Sequence, residues 1–288
     1  MVHLLSIKIM KTIGNQYIIK KTIDTSGATS TVYLVECIKT GKTYAAKVYD
    51  NYSDYFYNEV EILKKLSSPN NSNIIHLISW GEEYIVNDKS DEKKQFIVMD
   101  YLPNKDLFTY IQSNDITENE AKYFFSKIVK AIKNFHEQGI CHRDLKLNNI
   151  LLDMKNEPVI CDFGYGSLKI DDLDDFLGTD KYMAPEILRQ KTYNGIKADI
   201  FSLGVILFAL VFKNFGFHEA SFNSDLYKLV MKKKFNDYWK GIGNILGEEK
   251  VKNVSLDCKE LIFSMWAYSP KERPTIEEIL NHNWLKDI

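Results

Sequence analysis

The stretch His142–Asn149, which reads HRDLKLNN, decides the fold because it opens a set of three short motifs in a fixed order. The motif DFG at Asp162–Gly164 comes second, and the motif APE at Ala184–Glu186 comes third. A loop in which histidine and aspartate side chains only cap helices would explain the first motif by itself. It would not explain why the other two motifs follow at suitable distances. The ordered set therefore indicates one specific architecture.

The composition around these motifs is that of a folded protein. The chain has 288 residues, of which 45% are hydrophobic and 26% charged, and this excludes a disordered tail or a fibrous repeat. At roughly 150 residues per domain, the length predicts one large domain or two lobes. Lys and Arg number 37 against 39 Asp and Glu, a net charge of -2. The chain therefore has no global basic field that could hold a nucleic acid or an anionic membrane, and we expect neither as a partner.

Cysteine usage and the apolar runs bear on the compartment. The four cysteines lie far apart with no CxxC pair, which argues against a disulfide framework or a zinc site and favours free thiols. The N-terminal residues show no secretory signal. The longest apolar run, 203–212, is about half of what a membrane span requires, and predicts a buried core helix. We expect a cytoplasmic protein, and a nuclear location stays open.

Strand-like segments come first along the chain and helical segments follow. Short runs rich in β-branched and aromatic residues occupy 17–23, 31–37, 43–49 and 96–99. One segment with helical periodicity, 57–66, interrupts them. Beyond Pro103 the pattern is mainly helical, with helices predicted over 106–113, 117–138, 198–212, 256–267 and 275–284. The sequence therefore predicts an α+β protein in which a small β lobe precedes a larger helical lobe.

With these motifs in this order, the sequence resembles the eukaryotic protein kinase family from about residue 17 to residue 285. The resemblance implies a bilobal fold, with a small antiparallel β lobe carrying one key helix and a larger, mainly helical lobe. It divides the kinase domain, 1–288, into an N-terminal extension (1–16), an N-lobe (17–99), a hinge (100–105) and a C-lobe (106–288). It also implies that the two lobes share one ATP site.

The resemblance implies phosphoryl transfer from ATP with Mg²⁺, and the chemistry explains the residue types. Charge develops on the oxygens of the γ-phosphoryl group, so the protein mainly positions groups and supplies positive charge. Asp144 would accept the proton of the attacking hydroxyl, and Lys146 would reach the γ-phosphate. Asn149 and Asp162 would supply the oxygen ligands that Mg²⁺ prefers.

In the small lobe, the resemblance assigns Lys47 to the α- and β-phosphates and pairs it with a helix glutamate. Glu59 is the expected partner because apolar residues follow it at the family's spacing, which Glu61 does not have. Only 12 residues separate Lys47 from Glu59, which is short for the family and suggests a trimmed connection before the helix.

The loop that covers the phosphates departs from the family pattern. Residues 25–32 read TSGATSTV where the family has GxGxxGxV, so Gly27 is the one glycine that remains. Glycine lets the backbone approach phosphate at low steric cost. We therefore expect a stiffer loop and weakened, but not abolished, ATP binding.

The resemblance also implies an apolar slot for the adenine ring, next to a hinge whose backbone groups bind its edge. An acidic residue would lie near the ribose. The residues that match these positions are Val32 and Ala45 in the small lobe, Met99, Asp100 and Leu102 at the hinge, Asp106 near the ribose and Leu151 beneath the ring. Cys161 would border the slot, and we expect it to be a small buried hydrophobic residue with no reactive role.

Two features look like the serine/threonine branch of the family. One is Lys146 in the catalytic loop, and the other is the segment Gly178–Glu186. Thr179 would hydrogen-bond Lys146 and Asp144, which ties the peptide-binding platform to the catalytic base. The resemblance extends weakly to the calcium/calmodulin-dependent kinase-like group.

The resemblance also suggests how activity is controlled. Nine residues before Ala184, where the family often carries a phosphorylatable Thr or Ser, this chain has Asp175. Arg143 matches the residue that pairs with an activation-loop phosphate, and a carboxylate carries about half the charge of a phosphate. We hypothesise that Asp175, with or without Asp174, pairs with Arg143 and makes activity largely independent of loop phosphorylation. A solvated acidic loop is the alternative.

The remaining matches are structural. Asp199 would accept hydrogen bonds from the catalytic-loop backbone, and Arg273 would form a partly buried ion pair with Glu186. Gly164 completes the second motif. Four side chains would stack in a column that couples helix placement to metal binding: Leu63, Leu77, His142 and Phe163.

Two other functions compete with an active serine/threonine kinase. A pseudokinase would use the same fold as an ATP-binding scaffold, made slow by its altered phosphate loop, although Lys47, Asp144, Asn149 and Asp162 are present. A small-molecule kinase shares the Asp and Mg²⁺ chemistry but does not usually carry the platform of Glu186 and Arg273. Protein substrates are the expected partners, the chain is expected to be monomeric, and a separate regulatory chain is left open.

Overall fold

The computed structural model describes residues 11–25, 30–67, 73–86 and 93–286. These residues form two compact units. The first lies within Met1–Ser67 and Ile75–Leu102, and the second within Ser68–Ile74 and Pro103–Ile288. The first unit thus ends inside the segment 100–105 that the sequence analysis assigns to the hinge, whereas residues 73–74 group with the second unit.

The first unit is built on an antiparallel barrel. Its strands are β1 (Thr12–Ile13), β2 (Tyr17–Asp24), β3 (Ser30–Cys37), β4 (Thr43–Tyr49), β5 (Leu77–Val86) and β6 (Lys93–Asp100). They follow the order β1-β2-β3-β4-β6-β5, and β1 closes the barrel by pairing with both β2 and β5.

The strand β1 corrects the predicted domain boundary at residue 16. Residues 12–13 belong to the barrel instead of an N-terminal extension, and Ile13 is buried in the barrel core. The prediction fails because a two-residue strand is too short to show a period in the sequence.

Alternation along β4 separates the barrel core from the opposite face of the strand. Ala46 and Val48 pack in the core with Val35, Phe96 and Val98. Successive side chains of a strand point to opposite faces, so Lys47 lies on the other side of β4. The residue opposite Lys47 in the register of β3 is Val32. Lys47 therefore lies on the face of β4 opposite the barrel core, beside Val32 of β3.

The helix of the first unit, α1 (Asp54–Leu66), starts three residues before the predicted residue 57. The reason is Phe56, which is fully buried in the first turn. Ser53 precedes the helix in an extended conformation, and its backbone N–H donates to Gln95 Oε1 at 2.8 Å. Apolar residues at helical spacing and one acid, Glu59, form the buried face of α1.

The second unit is mainly helical, which together with the barrel confirms the α+β fold class. It contains α2 (Leu107–Ser113), α3 (Glu118–Glu137), β7 (Ile150–Leu152), β8 (Pro158–Ile160), α4 (Pro185–Leu188), α5 (Gly195–Phe212), α6 (Asp225–Met231), α7 (Phe235–Leu246), α8 (Glu248–Lys252), α9 (Leu256–Met265) and α10 (Ile276–Leu280). The strands β7 and β8 pair as an antiparallel ribbon.

Two long helices form the centre of the second unit. A capping box starts α3, because the Thr117 hydroxyl accepts from the Glu120 N–H while the Glu120 carboxylate accepts from the Thr117 N–H. The helix α5 is long and apolar enough to cross a membrane by length and composition, yet 83% of it is buried within the protein. Such burial on all sides is typical of a core helix.

The C-terminal helices differ from the prediction at several points. The predicted helix 275–284 is divided into α10 and a 3-10 helix at Asn283–Leu285, because His282 is extended and its Nδ1 accepts from the Trp284 N–H. The helices α6, α7 and α8 have no counterparts among the predicted elements, and α7 is the longest of them. Gly241 and Gly243 weaken its helical signal, although Tyr238 and Trp239 are buried.

Candidate active site

A buried carboxylate holds the loop that carries the first motif. Asp199 in α5 accepts from the His142 N–H at 2.8 Å and from the Arg143 N–H at 2.9 Å. It also contacts His136 Nε2 of α3 at 2.9 Å, a partner that the sequence analysis did not identify. Arg143 has a φ of 64°, which is uncommon for a residue with a side chain, so these bonds stabilise a strained backbone.

Two of the predicted residues, Lys146 and Thr179, contact the Asp144 carboxylate. Lys146 Nζ lies 2.7 Å from Oδ2, and the Thr179 hydroxyl donates to Oδ1 at 2.7 Å. The network is closed because Lys146 Nζ also donates to the Thr179 Oγ1 at 3.0 Å. Asp144 is almost fully buried, and the hydrogen bonds to its two oxygens fix the orientation of its carboxylate. Such a carboxylate can accept a proton at a defined point.

Asn149 and Asp162 are the residues predicted to bind a cation. The Asn149 amide nitrogen donates to the Asp144 carbonyl oxygen at 2.9 Å and to its Oδ2 at 3.2 Å. Because the amide nitrogen faces Asp144, the amide oxygen of Asn149 points away from Asp144. An amide oxygen is a suitable ligand for Mg²⁺. Asp162 has a φ of 66°, so its backbone, like that of Arg143, lies in the left-handed region. Among the described residues there is no cluster of three or more His, Cys, Asp or Glu side chains that could hold a metal.

An amide and a carboxylate nevertheless fit Mg²⁺, because this ion usually keeps several waters and binds few protein groups alongside phosphates. The second motif is anchored beside them. Phe163 is fully buried, and its ring centroid lies 4.8 Å from that of His142. His142 Nε2 also contacts the Cys161 carbonyl oxygen at 3.0 Å. Gly164 is buried too.

Arg143 contacts the acidic segment that precedes Ala184. Its Nη1 lies 2.7 Å from Asp175 Oδ2, and its Nη2 donates to the Gly166 carbonyl oxygen at 3.3 Å. The Arg143 side chain is 8% exposed, whereas that of Asp175 is 54% exposed. Tyr193 holds the same segment, because its hydroxyl donates to the Asp175 carbonyl oxygen at 3.2 Å. The segment is therefore in contact with the unit and is not a freely solvated loop.

A second ion pair lies deeper in the unit. Arg273 Nη1 and Nη2 donate to the two carboxylate oxygens of Glu186, each at 2.6 Å. The guanidinium also donates to the backbone carbonyl oxygens of Ala267 at 2.9 Å and Lys197 at 2.8 Å. Because burial removes water from both groups, a buried charge pair needs protein partners for its hydrogen bonds, and this pair has them. The third motif is thus fixed to a distant part of the chain.

In the first unit, the predicted pair of Lys47 and Glu59 is formed. Lys47 Nζ lies 2.7 Å from Glu59 Oε2, and Glu59 is fully buried on α1. The Tyr49 hydroxyl donates to the same oxygen at 2.7 Å. Sequence reasoning missed Tyr49, although its position two residues after Lys47 on a strand places both side chains on one face.

The residues predicted near adenine occupy different parts of the two units. In the first unit, Ala45 and Met99 are buried partners in the register of β4 and β6. Asp100 ends β6, and its Oδ2 lies 2.8 Å from His76 Nδ1. Leu102 and Val32 are half-buried. Gly27 lies outside the described residues.

In the second unit, Leu151 and Asp106 are bridge partners. The Asp106 carboxylate caps α2, because Oδ1 accepts from the Thr109 N–H at 2.9 Å and Oδ2 from the Thr109 hydroxyl at 2.8 Å. The predicted helix start at residue 106 is thus the cap, and the helix itself begins at Leu107. A carboxylate in two such bonds is held in place, and its remaining lone pairs can still accept from a ligand hydroxyl.

The Cys141 thiol near this site is not an activated nucleophile. Burial raises the pKa of the Cys141 thiol to about 12, so it is protonated at neutral pH. Cys161 donates weakly to the Asn149 carbonyl oxygen at 3.4 Å. All four cysteines are free thiols.

Comparison with known proteins adds to this geometry. Residues 17–285 match the family described as "Protein kinase domain", which is nearly the whole chain. The chain is 32% identical over 280 residues to the maternal embryonic leucine zipper kinase of Xenopus laevis, an alignment that covers 93% of this chain and 39% of that protein.

Two further relatives carry the words serine/threonine-protein kinase in their names. Serine/threonine-protein kinase kin-29 of Caenorhabditis elegans is 33% identical over 230 residues, covering 79% of this chain and 25% of that protein. CBL-interacting serine/threonine-protein kinase 13 of Arabidopsis thaliana is 31% identical over 272 residues, covering 90% and 49%. The chain thus spans between a quarter and a half of the length of these relatives.

Proposed function

Because the chain belongs to the serine/threonine branch of the eukaryotic protein kinase family, we propose that it transfers the γ-phosphoryl group of ATP to a Ser or Thr hydroxyl of protein substrates with Mg²⁺. The single observation that carries the proposal is the closed network of Asp144, Lys146 and Thr179. It joins a proton acceptor, a positive charge and a hydroxyl from the peptide-binding segment in one partly buried arrangement.

The network suits phosphoryl transfer because each member has a separate task. Asp144 would accept the proton of the attacking hydroxyl as the new phosphorus–oxygen bond forms. Lys146 would balance the negative charge of the γ-phosphate, and its Nζ lies 2.7 Å from Asp144 Oδ2. Thr179 would keep the segment that positions the substrate in register with Asp144.

Asn149 and Asp162 would hold Mg²⁺, which supplies positive charge to the phosphate oxygens when it is bound. Asn149 is well suited because its amide nitrogen is anchored on Asp144. Lys47, paired with Glu59, would bind the α- and β-phosphates. The altered residues 25–32 are expected to weaken this binding, and the pseudokinase alternative rests on them.

The pair of Glu186 and Arg273 argues against a small-molecule kinase. It fixes the segment that follows Thr179, where the family binds a peptide, at two 2.6 Å contacts. A small metabolite would gain nothing from such a platform. The name of the CBL-interacting relative suggests a regulatory partner chain, which we extend to this protein only as a proposal.

The test is phosphorylation of an arrayed peptide library with radiolabelled ATP and Mg²⁺, comparing wild type with Asp144→Asn. We expect wild type to label Ser or Thr peptides and Asp144→Asn to lose at least about a hundredfold in rate. Equal turnover by both proteins, or ATP binding without transfer, would favour the scaffold function. Labelling of tyrosine peptides alone would contradict the assigned branch.

We also propose that Asp175 replaces a loop phosphate. The support is the contact of its Oδ2 with Arg143 Nη1 at 2.7 Å. Because a carboxylate has a permanent charge, the loop would stay in place without an upstream kinase. Finally, we propose a cytoplasmic location, on the strength of the four free thiols.

A further inference from the structure

We propose that the Tyr49 hydroxyl is a positioning group for the pair of Lys47 and Glu59. The inference rests on the proposed kinase function, because it concerns the lysine that would bind the ATP phosphates. Tyr49 would touch neither substrate nor nucleotide. It would act through Glu59, by holding the carboxylate in the direction that serves Lys47.

The geometry places two donors on one oxygen. Tyr49 OH and Lys47 Nζ each lie 2.7 Å from Glu59 Oε2. Tyr49 is 1% exposed and Glu59 is fully buried, so water does not compete for these bonds. Hydrogen bonds to a charged acceptor are stronger than neutral ones, and a low local dielectric strengthens them further.

The position of the hydroxyl is fixed by packing. The Tyr49 ring meets the ring of Phe56 edge-on, with centroids 5.7 Å apart and planes at 77°. Phe56 lies in the first turn of α1, so the same helix presents both the ring that orients Tyr49 and the acid that it binds. Tyr49 thus joins β4 to α1 at two points, one apolar and one polar.

Lys47 alone would hold Glu59 less firmly once a nucleotide is present. An ammonium group that turns toward anionic phosphates divides its attraction between them and the carboxylate. The Tyr49 hydroxyl carries no positive charge, so anionic phosphates attract it far less than they attract an ammonium group. Glu59 Oε1 is buried and has no hydrogen-bond partner among the residues that the structure describes. Tyr49 therefore supplies a bond to Glu59 that phosphate does not weaken.

The decisive variant is Tyr49→Phe, which keeps the ring against Phe56 and removes only the hydroxyl. The matched control is Tyr17→Phe in the same barrel, where the lost bond is to Ser79 Oγ at 2.7 Å. We expect Tyr49→Phe to lower kcat/KM for ATP by about tenfold, as loss of a hydrogen bond to a charged group does. The KM for the peptide should not change, and Tyr17→Phe should stay within about twofold of wild type in both constants.

A double-mutant cycle with Glu59→Gln separates positioning from general support of the fold. If Tyr49 acts through the carboxylate, Tyr49→Phe should cost less than about twofold in a Glu59→Gln background. The inference would be overturned if the loss in kcat/KM of the double variant equalled the product of the losses of the two single variants. Such independence would mean that Tyr49 supports the site by another route than Glu59. The affinity for MgADP, measured by calorimetry on the same four proteins, gives a readout apart from turnover and should show the same coupling.

The outcomes also separate this inference from the proposed function. Active wild type with an equally active Tyr49→Phe and unchanged ADP affinity would overturn the role of Tyr49 and leave the kinase function intact. Wild type that binds ADP without transferring phosphate would overturn the proposed function. The double-mutant cycle measured by MgADP affinity would still decide the role of Tyr49. Wild type that neither transfers phosphate nor binds ADP would overturn both.

Discussion

Glu186 and Arg273, which lie 87 positions apart in the sequence, form a bidentate ion pair whose two contacts measure 2.6 Å each. Removal of one partner leaves a buried charge without its counter-ion. We expect Arg273→Met to lower the free energy of unfolding by about 3–5 kcal/mol, measured by urea denaturation followed by tryptophan fluorescence.

The control for this variant is Lys233→Met, which breaks the exposed pair of Lys233 and Glu272 at 2.9 Å. Exposed ion pairs contribute little to stability, so we expect Lys233→Met to lower the free energy of unfolding by no more than about 1 kcal/mol. Glu186→Gln provides a milder change should Arg273→Met prevent folding. Equal losses for the buried and the exposed pair would show that burial does not set the strength of the Glu186 contact.

The Thr179 hydroxyl should be needed for the rate and not for stability. Thr179→Ala removes the bond to Asp144 Oδ1 and the acceptor for Lys146 Nζ. We expect kcat to fall by roughly 10- to 100-fold, with the urea midpoint nearly unchanged because Thr179 is only half-buried. Thr179→Ser keeps the hydroxyl and should restore most of the rate. A serine variant as slow as the alanine variant would argue against a role for this hydrogen bond.

Asp175 should make activity independent of phosphatase treatment. We expect wild type to keep its rate after phosphatase treatment, and Asp175→Asn to lose several-fold because Arg143 loses its charged partner. Asp172→Asn is the matched control, since it removes a charge from the same segment at a residue with φ of 50°, which asparagine tolerates. The measured quantity is kcat with one saturating peptide. Inactive phosphatase-treated wild type, or Asp175→Asn with an unchanged rate, would contradict the proposal.

The cysteines should differ in reactivity toward an alkylating reagent. Hydrogen bonds with Thr40 lower the pKa of the Cys37 thiol, whereas burial raises the pKa values of the Cys141 and Cys258 thiols. The thiolate is the reactive form, and a lowered pKa increases its fraction at a given pH. We expect iodoacetamide at pH 8 to modify Cys37 before Cys141 or Cys258, as read by peptide mass spectrometry. Prior reaction at Cys141 would mean that the second unit opens readily.

The sequence predicts those parts of the site that lie in short motifs. Asp144, Lys146 and Asn149 fall within eight residues, so their proximity requires no knowledge of the fold. The contact of Arg143 with Asp175 could be anticipated because the resemblance supplies the pairing, and the structure has it at 2.7 Å. Roles in binding ATP or Mg²⁺ stay predictions, since these follow from the resemblance.

Other contacts depend on how elements pack, and a single sequence does not contain that information. His136 meets Asp199 only because α3 and α5 lie side by side. Tyr49 meets Glu59 because β4 and α1 bring one face of each together. The strand β5 was not predicted because Gly81 and two glutamates interrupt its apolar alternation.

The two residues of β1 have a consequence for how this protein is handled. Thr12 and Ile13 cover the unpaired backbone groups of both β2 and β5. A recombinant fragment beginning at Tyr17, the first residue of β2, would expose two strand edges that can pair with other molecules. We expect such a fragment to aggregate at concentrations where a fragment beginning at Lys11 remains soluble, as measured by light scattering.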